Sequence, residues 1–526
     1  METGHEVFNV ASVVNAAARK WGSRVALYHY DSKSTVTYID VEYMSNRVGN
    51  ALRALGVEIE NRVAILMDDC PEWAFAFFGA LKIGAIPVPL NTLLTKEEYV
   101  FFISDTRAKV LFVDASHFDK IEGIIPSFLY LRHVVVNKGV DFGKIGGRAL
   151  NWEAFIQGAA GELEIEPTYS CDVALLIYTS GSTGRPRAIM HSHSKMAKPS
   201  LSLKDFYGIG EGDVQFHIPK LYFLTSLGGL ISAFDNGSSV VLLSGRPTPS
   251  TILAVIAQYR PTFLNGSPTI FARIVDAARE NPNWADLSSI RYIFCAGEAL
   301  SLELFKSFQK TFGKPLYNCW GTQEVGCAPL SWRYGEKVPL KKVGSTGKSI
   351  LPGVEIKIVD DHGNEVRNGV TGEIMLRLES QFLGYWHESK ETVLRFYKGW
   401  YKPGDSFVRD HDGYYWYLGR LDDMVKVGGR QIFPVEIEHT IARHPAVQEA
   451  AVIPLSNKFG LIELHAFVVL KEENSPSIEL AVKIQNFVKE KLAPYKRPHH
   501  VKFVSELPKT ATGKIQRFRL RELALE

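Results

Sequence analysis

Residues 176–191 read LIYTSGSTGRPRAIMH, a short apolar run that ends in a loop made almost entirely of glycine and hydroxyl residues. Gly181 and Gly184 admit backbone angles closed to other residues and let main-chain N–H groups approach an anion, while Thr179, Ser180, Ser182 and Thr183 add hydroxyl donors. Arg185 and Arg187 then supply positive charge. A glycine and serine cluster after a strand is more often a plain surface turn. Here the strand expected over 173–176, the two arginines and the density of donors turn the reading toward a polyphosphate cradle. It is not a Walker loop, which needs glycine, four residues, then Gly-Lys-Ser/Thr. A decoy for that motif, GSTGKS at 344–349, has Lys342 where the first glycine belongs and is discarded.

The rest of the chain bounds what this cradle serves. With 526 residues it exceeds what one hydrophobic core organises, so two or more domains are expected. Sixty basic against 57 acidic side chains leave a net charge of +3, and no basic cluster is interleaved with aromatics, which argues against a nucleic-acid partner. The start, METGHEVFNVASVV, lacks a basic region followed by an apolar core, and no apolar run reaches about 18 residues, so the expectation is a cytoplasmic protein with no membrane span. Cys70, Cys171, Cys295, Cys319 and Cys327 are scattered and without CxxC spacing, as reduced thiols would be. The histidines are dispersed with no HExxH, so a resident structural zinc has little support and any metal is expected to arrive with a nucleotide.

Short β-branched segments at 62–67, 85–89, 110–113 and 132–136 alternate with helical patterns such as 72–81; a second set at 240–243, 263–265 and 292–296 alternates with helices over 251–258, 270–279 and 302–311. Such alternation predicts an α/β fold with two doubly wound subdomains. From about residue 343 glycine-punctuated strands predict a small β-rich subdomain, with Asp412-Gly413 as a turn. A mixed α+β section follows, and the boundary is expected between Leu421 and Asp422, giving domains 1–421 and 422–526.

YTSGSTGRPRA resembles the phosphate loop of the adenylate-forming superfamily, which includes acyl-CoA synthetases, aryl-CoA ligases, peptide-synthetase adenylation domains and luciferase. The family pattern ends Gly-x-Pro-Lys-Gly; Arg187 and Ala188 stand at the last two positions, and an arginine keeps the charge while changing its geometry. NCWGTQE, at 318–324, resembles the family's Tyr-Gly-x-Thr-Glu, which implies that Trp320 lies near adenine with Asn318, Gly321 and Thr322 around it, and that Glu324 holds Mg²⁺; Gln323 replaces the family threonine. AGEAL, at 296–300, and GSPT, at 266–269, match strand ends that line the ligand pockets, which brings Gly297, Glu298 and Ala299 to the nucleotide. YKPGD carries Asp405, the family's ribose-binding aspartate, and Arg420 follows fifteen residues later toward ribose or phosphate. PKTATGKIQ, at 508–516, places Lys514 at the family's catalytic lysine. The resemblance covers about 8–521.

It implies an AMP-forming ligase that uses ATP, Mg²⁺ and coenzyme A. The carboxylate attacks the α-phosphorus while the loop from Thr179 to Arg187 holds the departing pyrophosphate and Lys514 steadies the α-phosphate. The carboxy-terminal domain then rotates about a hinge at Asp422 and brings Val427, Gly428 and Gly429 to the pantetheine arm. The segment FHIPKLYFLTSLGGL at 216–230 has no carboxylate, which disfavours an amino-acid substrate. Lys220, Tyr222, Phe223, Leu224 and Thr225 form the expected acyl pocket, and Gly-Arg-Pro-Thr-Pro at 245–249 resembles benzoate-CoA ligases. An aromatic or alicyclic ring acid is therefore expected. Short or medium aliphatic acids, ATP synthesis from the thioester, an adenylating oxygenase, delivery to a carrier protein and a non-catalytic nucleotide sensor stay open as alternatives, as does monomer against homodimer. Lys220 has two readings, a partner for the substrate carboxylate or a packing residue beside Tyr222.

Overall fold

The computed structural model describes residues 6–138, 148–179, 186–281, 286–298, 300–326, 328–378, 382–421, 425–427, 430–457, 462–509 and 515–525. Local chemistry sets its helices. Pro71 opens Pro71–Lys82, capping boxes at Thr95 and Thr248 start Lys96–Thr106 and Pro249–Tyr259, and the hydroxyls of Ser267 and Ser301 cap Pro268–Glu280 and Leu302–Phe312. Gly237 and Gly313 stop Leu224–Asn236 and Leu302–Phe312 in the left-handed conformation.

The chain divides into two units, Met1–Glu355 with Arg377–Tyr401, and Ile356–Leu376 with Lys402–Glu526. The first holds the two α/β layers. One is an all-parallel sheet in the order Ile86–Pro89, Arg62–Leu66, Val110–Asp114, His133–Asn137, Ala149–Asn151. The other runs Tyr317–Asn318, Tyr292–Cys295, Phe263–Gly266, Val214–His217, Ser239–Leu242, Val25–His29, Ser34–Thr37, parallel except for its last pair. Inner strands such as Val110–Asp114 and Tyr292–Cys295 are buried on both faces, as the near-continuous apolar runs VLFVD and YIFC require.

The phosphate-loop strand joins neither layer. Val173–Thr179 pairs antiparallel with Arg187–Ser192, which pairs in turn with Gly384–Tyr385. The expected strand over 173–176 thus extends three residues further and turns back on itself, because RAIMHS after the loop is a second strand.

In the second unit, Asp405–Arg409 and Tyr415–Arg420 form the hairpin expected around Asp412-Gly413, with Gly413 at φ +84° and the Asp410 carboxylate accepting from the N–H groups of Asp412 and Tyr414. Val447–Ser456, Ile462–Leu470 and His500–Phe503 make a three-stranded sheet; Ile437, Ile441, Ile484 and Val488, from the helices Pro434–Ile441 and Ile478–Lys491, pack with its Val452, Leu464 and Val468. Of the β-rich section, residues 356–376 and 402–420 group with this unit and residues 377–401 with the first. Asp422, the expected hinge, lies outside the described residues. Among the described residues no helix is long and apolar enough to cross a membrane, and Cys70, Cys171, Cys295 and Cys319 are free thiols.

One close approach fixes the helix Leu224–Asn236. A Cβ on Gly229, in the helix Leu224–Asn236, would stand 2.1 Å from His217 Nε2, and that ring is already held by Gln215 at 2.9 Å and Asn265 at 3.2 Å. Gly229→Ala is expected to destabilise the protein by about 2 kcal/mol through overpacking; urea unfolding that leaves the midpoint unchanged would disprove the contact's importance.

Candidate active site

Neighbouring parallel strands Tyr317–Asn318, Tyr292–Cys295, Phe263–Gly266 and Val214–His217 end together, so the motifs that follow them collect along one sheet edge. Gly297 sits at φ +91°, a conformation that calls for glycine. The next residue, Glu298, accepts from the N–H of Thr269 at 3.2 Å and from its hydroxyl at 2.6 Å, tying two strand ends to each other. Ala299 lies outside the described residues. Trp320 is buried and its N–H donates to the Leu330 carbonyl at 2.9 Å; Thr322 closes the following turn, accepting from the N–H groups of Val325 and Gly326, and Gly321 is exposed.

Asn318, expected at the nucleotide, ends the strand Tyr317–Asn318. Its buried amide donates to the carbonyls of Gly344 and Ser345, at 3.2 and 3.0 Å. The decoy GSTGKS loop is therefore a packing element. Gly347 in it has φ +77°, and a Cβ there would lie 2.0 Å from the Ser331 carbonyl oxygen.

Glu324 and Arg187 meet the residues around Tyr385. The Tyr385 hydroxyl donates to Glu324 Oε1 at 2.9 Å, Arg187 lies over the Tyr385 ring with 5.8 Å to its centroid, and Arg187 pairs with Glu391 at 2.9 Å. Arg395, one turn on from Glu391, shares the same carboxylate oxygen at 3.0 Å. Burial, followed by the charge of Glu324, drives the Tyr385 phenol well above its ordinary pKa and keeps it a donor. Thr179 and Arg187 face each other across the hairpin at the mouth of the loop; Ser180, Gly181, Ser182, Thr183 and Gly184 lie outside the described residues.

In the segment expected to hold the acyl group, Lys220 is buried and its ammonium donates to the Leu243 carbonyl. Beside it Asp69 is fully buried, accepts from the Leu221 N–H at 3.1 Å, and has its pKa pushed up to about 6 by burial, with Lys220 opposing. Tyr222 is buried and its ring centroid is 4.8 Å from that of half-buried Phe223; Leu224 opens the helix Leu224–Asn236, and Thr225 is exposed. The Leu224 N–H donates to Gln323 Oε1 at 3.2 Å. The residue that replaces the family threonine thus joins the first turn of the helix Leu224–Asn236 to the segment after the strand Tyr317–Asn318. Gly326 lies close by, its missing Cβ 3.1 Å from Leu224 Cδ2 and 3.2 Å from Lys195 Cε.

The second unit brings Asp405 and Arg420 opposite each other on paired strands, with a 2.9 Å ion pair in which Asp405 is buried. Gly404 at φ +81° accepts from the Leu421 N–H at 2.8 Å and sets this corner. Val427 ends the strand Val425–Val427, facing Arg430; Gly428, Gly429 and Lys514 lie outside the described residues.

Sequence patterns missed Tyr385, Glu391, Arg395 and Asp69. Glu391 and Arg395 carried a signal, an acidic and a basic residue four apart on Ser389–Arg395. Nothing local connects them to Arg187, more than two hundred residues earlier.

Residues 14–386 match the model of the AMP-binding enzyme family, and residues 436–514 that of the AMP-binding enzyme C-terminal domain. The chain belongs to the AMP-binding enzyme family. This AMP-binding enzyme is 35% identical over 492 residues to a 3-hydroxybenzoate–CoA ligase of Aromatoleum sp. (strain CIB), covering 93% of this chain and 92% of that one. A crystal structure of an anthranilate CoA ligase in complex with anthranoyl-AMP superposes with TM-score 0.89 at 37% identity, over 98% of this chain and 97% of that one. A benzoate CoA ligase from Burkholderia xenovorans LB400 gives TM-score 0.87 at 33% identity, over 98% and 100%. The enzyme's two-unit α/β architecture is that of these neighbours.

Proposed function

We propose that this AMP-binding enzyme is an acid–thiol ligase that converts an aromatic carboxylic acid, benzoate or a hydroxy- or amino-substituted benzoate, into its CoA thioester through an acyl-adenylate. The observation that carries the proposal is the join between the acyl helix and the nucleotide strand end, Leu224 N–H to Gln323, on a segment at 216–230 that holds aromatic and aliphatic side chains and no carboxylate. The named activities of the relatives support it.

In the first step a substrate carboxylate oxygen bonds to the α-phosphorus of ATP and the bond to the β-phosphate oxygen breaks, releasing pyrophosphate. The Thr179–Arg187 hairpin is the element for the leaving group, and Lys514 the cation for the α-phosphate. In the second, the CoA sulfur attacks the acyl carbon, its proton leaves to solvent, and AMP departs. Asp405, with two acceptor oxygens, suits the ribose diol. Glu324 suits Mg²⁺, since one oxygen is fixed by Tyr385 and the carboxylate is half-buried at the strand end. Bound there, the ion would neutralise charge on the phosphates. The proposal extends to a cytoplasmic enzyme, acting as monomer or homodimer.

The test is CoA-dependent AMP and pyrophosphate formation across benzoate, hydroxybenzoates, anthranilate, cyclohexane carboxylate, short and medium fatty acids and amino acids. The aromatic acids are expected to lead by at least tenfold in kcat/KM, the size of a pocket discriminating one or two apolar groups. A fatty acid or amino acid leading the panel would overturn the substrate class, and turnover independent of CoA would overturn the ligase reading.

A further inference from the structure

Away from these motifs, in the second unit, three metal-ligating side chains converge on one face of a sheet. Glu463 and His465 are two apart on the strand Ile462–Leu470 and so point to the same side. His500, the first residue of the neighbouring parallel strand His500–Phe503, is the register partner of His465. The two imidazole centroids are 4.3 Å apart, and His500 Nε2 lies 3.0 Å from Glu463 Oε2. One ligand atom from each residue falls within 4.8 Å of the others.

The surroundings hold this triad in place. Asn457 Nδ2 donates to the other Glu463 oxygen at 2.8 Å, orienting the carboxylate as the outer partners of metal ligands do. On the opposite face, His499 pins the strand ends: its Nδ1 accepts from the Leu464 N–H at 2.9 Å and its own N–H donates to the Leu464 carbonyl at 2.8 Å. Exposure is graded, with the His500 side chain 57% and Glu463 26% accessible. An ion therefore has an entry path from solvent.

We propose that Glu463, His465 and His500 form a binding site for one divalent transition-metal ion of the Zn²⁺ class, with at least one position open to water. Two imidazoles select Zn²⁺, Co²⁺, Ni²⁺ or Cu²⁺ over Mg²⁺ and Ca²⁺, which take all-oxygen sets. Bonds of about 2.0–2.2 Å in a tetrahedron set ligand atoms about 3.4 Å apart. The present spacing, within 4.8 Å, exceeds that by at most roughly an ångström and a half. The plain alternative is a stacked histidine pair with a surface ion pair to Glu463, which binds no metal.

The test uses tag-free, full-length protein stripped with a chelator and titrated with Co²⁺ alone, without nucleotide. The proposal expects one equivalent bound with a visible d–d absorption band, displaced by Zn²⁺ and untouched by Mg²⁺. His465→Ala and His500→Ala should each weaken binding by at least about tenfold and abolish the band, and Glu463→Gln should weaken it less. The exposed His500 makes His500→Ala the safer variant, and its melting transition should match the parent's. Absence of a band up to millimolar Co²⁺, or a band unchanged in both histidine variants, would overturn the site.

Discussion

Lys514→Ala is expected to slow pyrophosphate release with benzoate and ATP by about 10²- to 10³-fold, the range seen when one preorganised charge-stabilising donor is removed. Thioester formation from supplied benzoyl-AMP and CoA should change less than about threefold, because the lysine's task ends once the α-phosphate has been transferred. The measurement is a pair of single-turnover assays on the same preparation. Equal losses in both would remove Lys514 from the adenylation step and leave it a residue of general structure. The pair also separates two kinds of failure, since a variant that merely folds poorly loses both half-reactions in proportion.

A second large effect lies in acid stability. His191, His193 and His217 are buried in the first unit, and burial lowers their pKa values to about 3, 4 and 3. Lys195 adds to the effect at His191. The ordinary histidine value is about 6.5, so below it the unfolded chain takes up protons that the folded chain refuses. The stability these neutral rings allow is present above pH 6.5 and is lost as pH falls toward their folded values. At pH 5.5 the three together cost about 4 kcal/mol relative to pH 7.5. Asp69 acts in the other direction: its folded pKa of about 6 lies above the ordinary carboxyl value, so it gains a proton in the fold as pH falls and returns about 1 kcal/mol. Lys82, whose pKa burial lowers to about 7, adds a loss of about 1 kcal/mol, so urea unfolding followed by tryptophan fluorescence should show a loss of at least about 3 kcal/mol between pH 7.5 and 5.5. His217→Gln should flatten that dependence by about 1.4 kcal/mol, the share of one proton per pH unit. A midpoint that does not move with pH would mean that these rings titrate in the folded state.

His217 illustrates why local sequence reading misses such groups. It stands in an apolar strand, VQFH, and only the fold supplies the Gln215, Asn265 and Gly229 that enclose it. The same holds for Tyr385. A Gly-Tyr pair is unremarkable in sequence, and its role arises because Gly384–Tyr385 adds as a strand beside Arg187–Ser192, which lays the phenol against Glu324. Nor does the NCWGTQE motif reveal that the Asn318 amide serves two backbone carbonyls that the Gly344–Ser345 corner would otherwise bury. Gln323 looked like a departure from the family pattern, and its side-chain carbonyl oxygen accepts from the N–H of Leu224 at the start of the helix Leu224–Asn236.

What the sequence determined by itself was everything that depends on residue type and short spacing. The apolar runs dictated parallel strands, the serine, threonine and proline caps set the helix starts, Asp412-Gly413 set a hairpin, and the ordered phosphate-loop, NCWGTQE, Pro-Gly-Asp and Gly-Lys motifs marked an adenylate-forming chain. Tertiary structure alone decided which charges meet: Arg187 with Glu391 and Arg395, Lys220 with the Leu243 carbonyl and Asp69, and His500 with Glu463 beside His465. The reason is that periodicity and capping act through hydrogen bonds and burial within a few residues, whereas an ion pair forms wherever sheet order and register carry two side chains to within about 4 Å, at any separation along the chain.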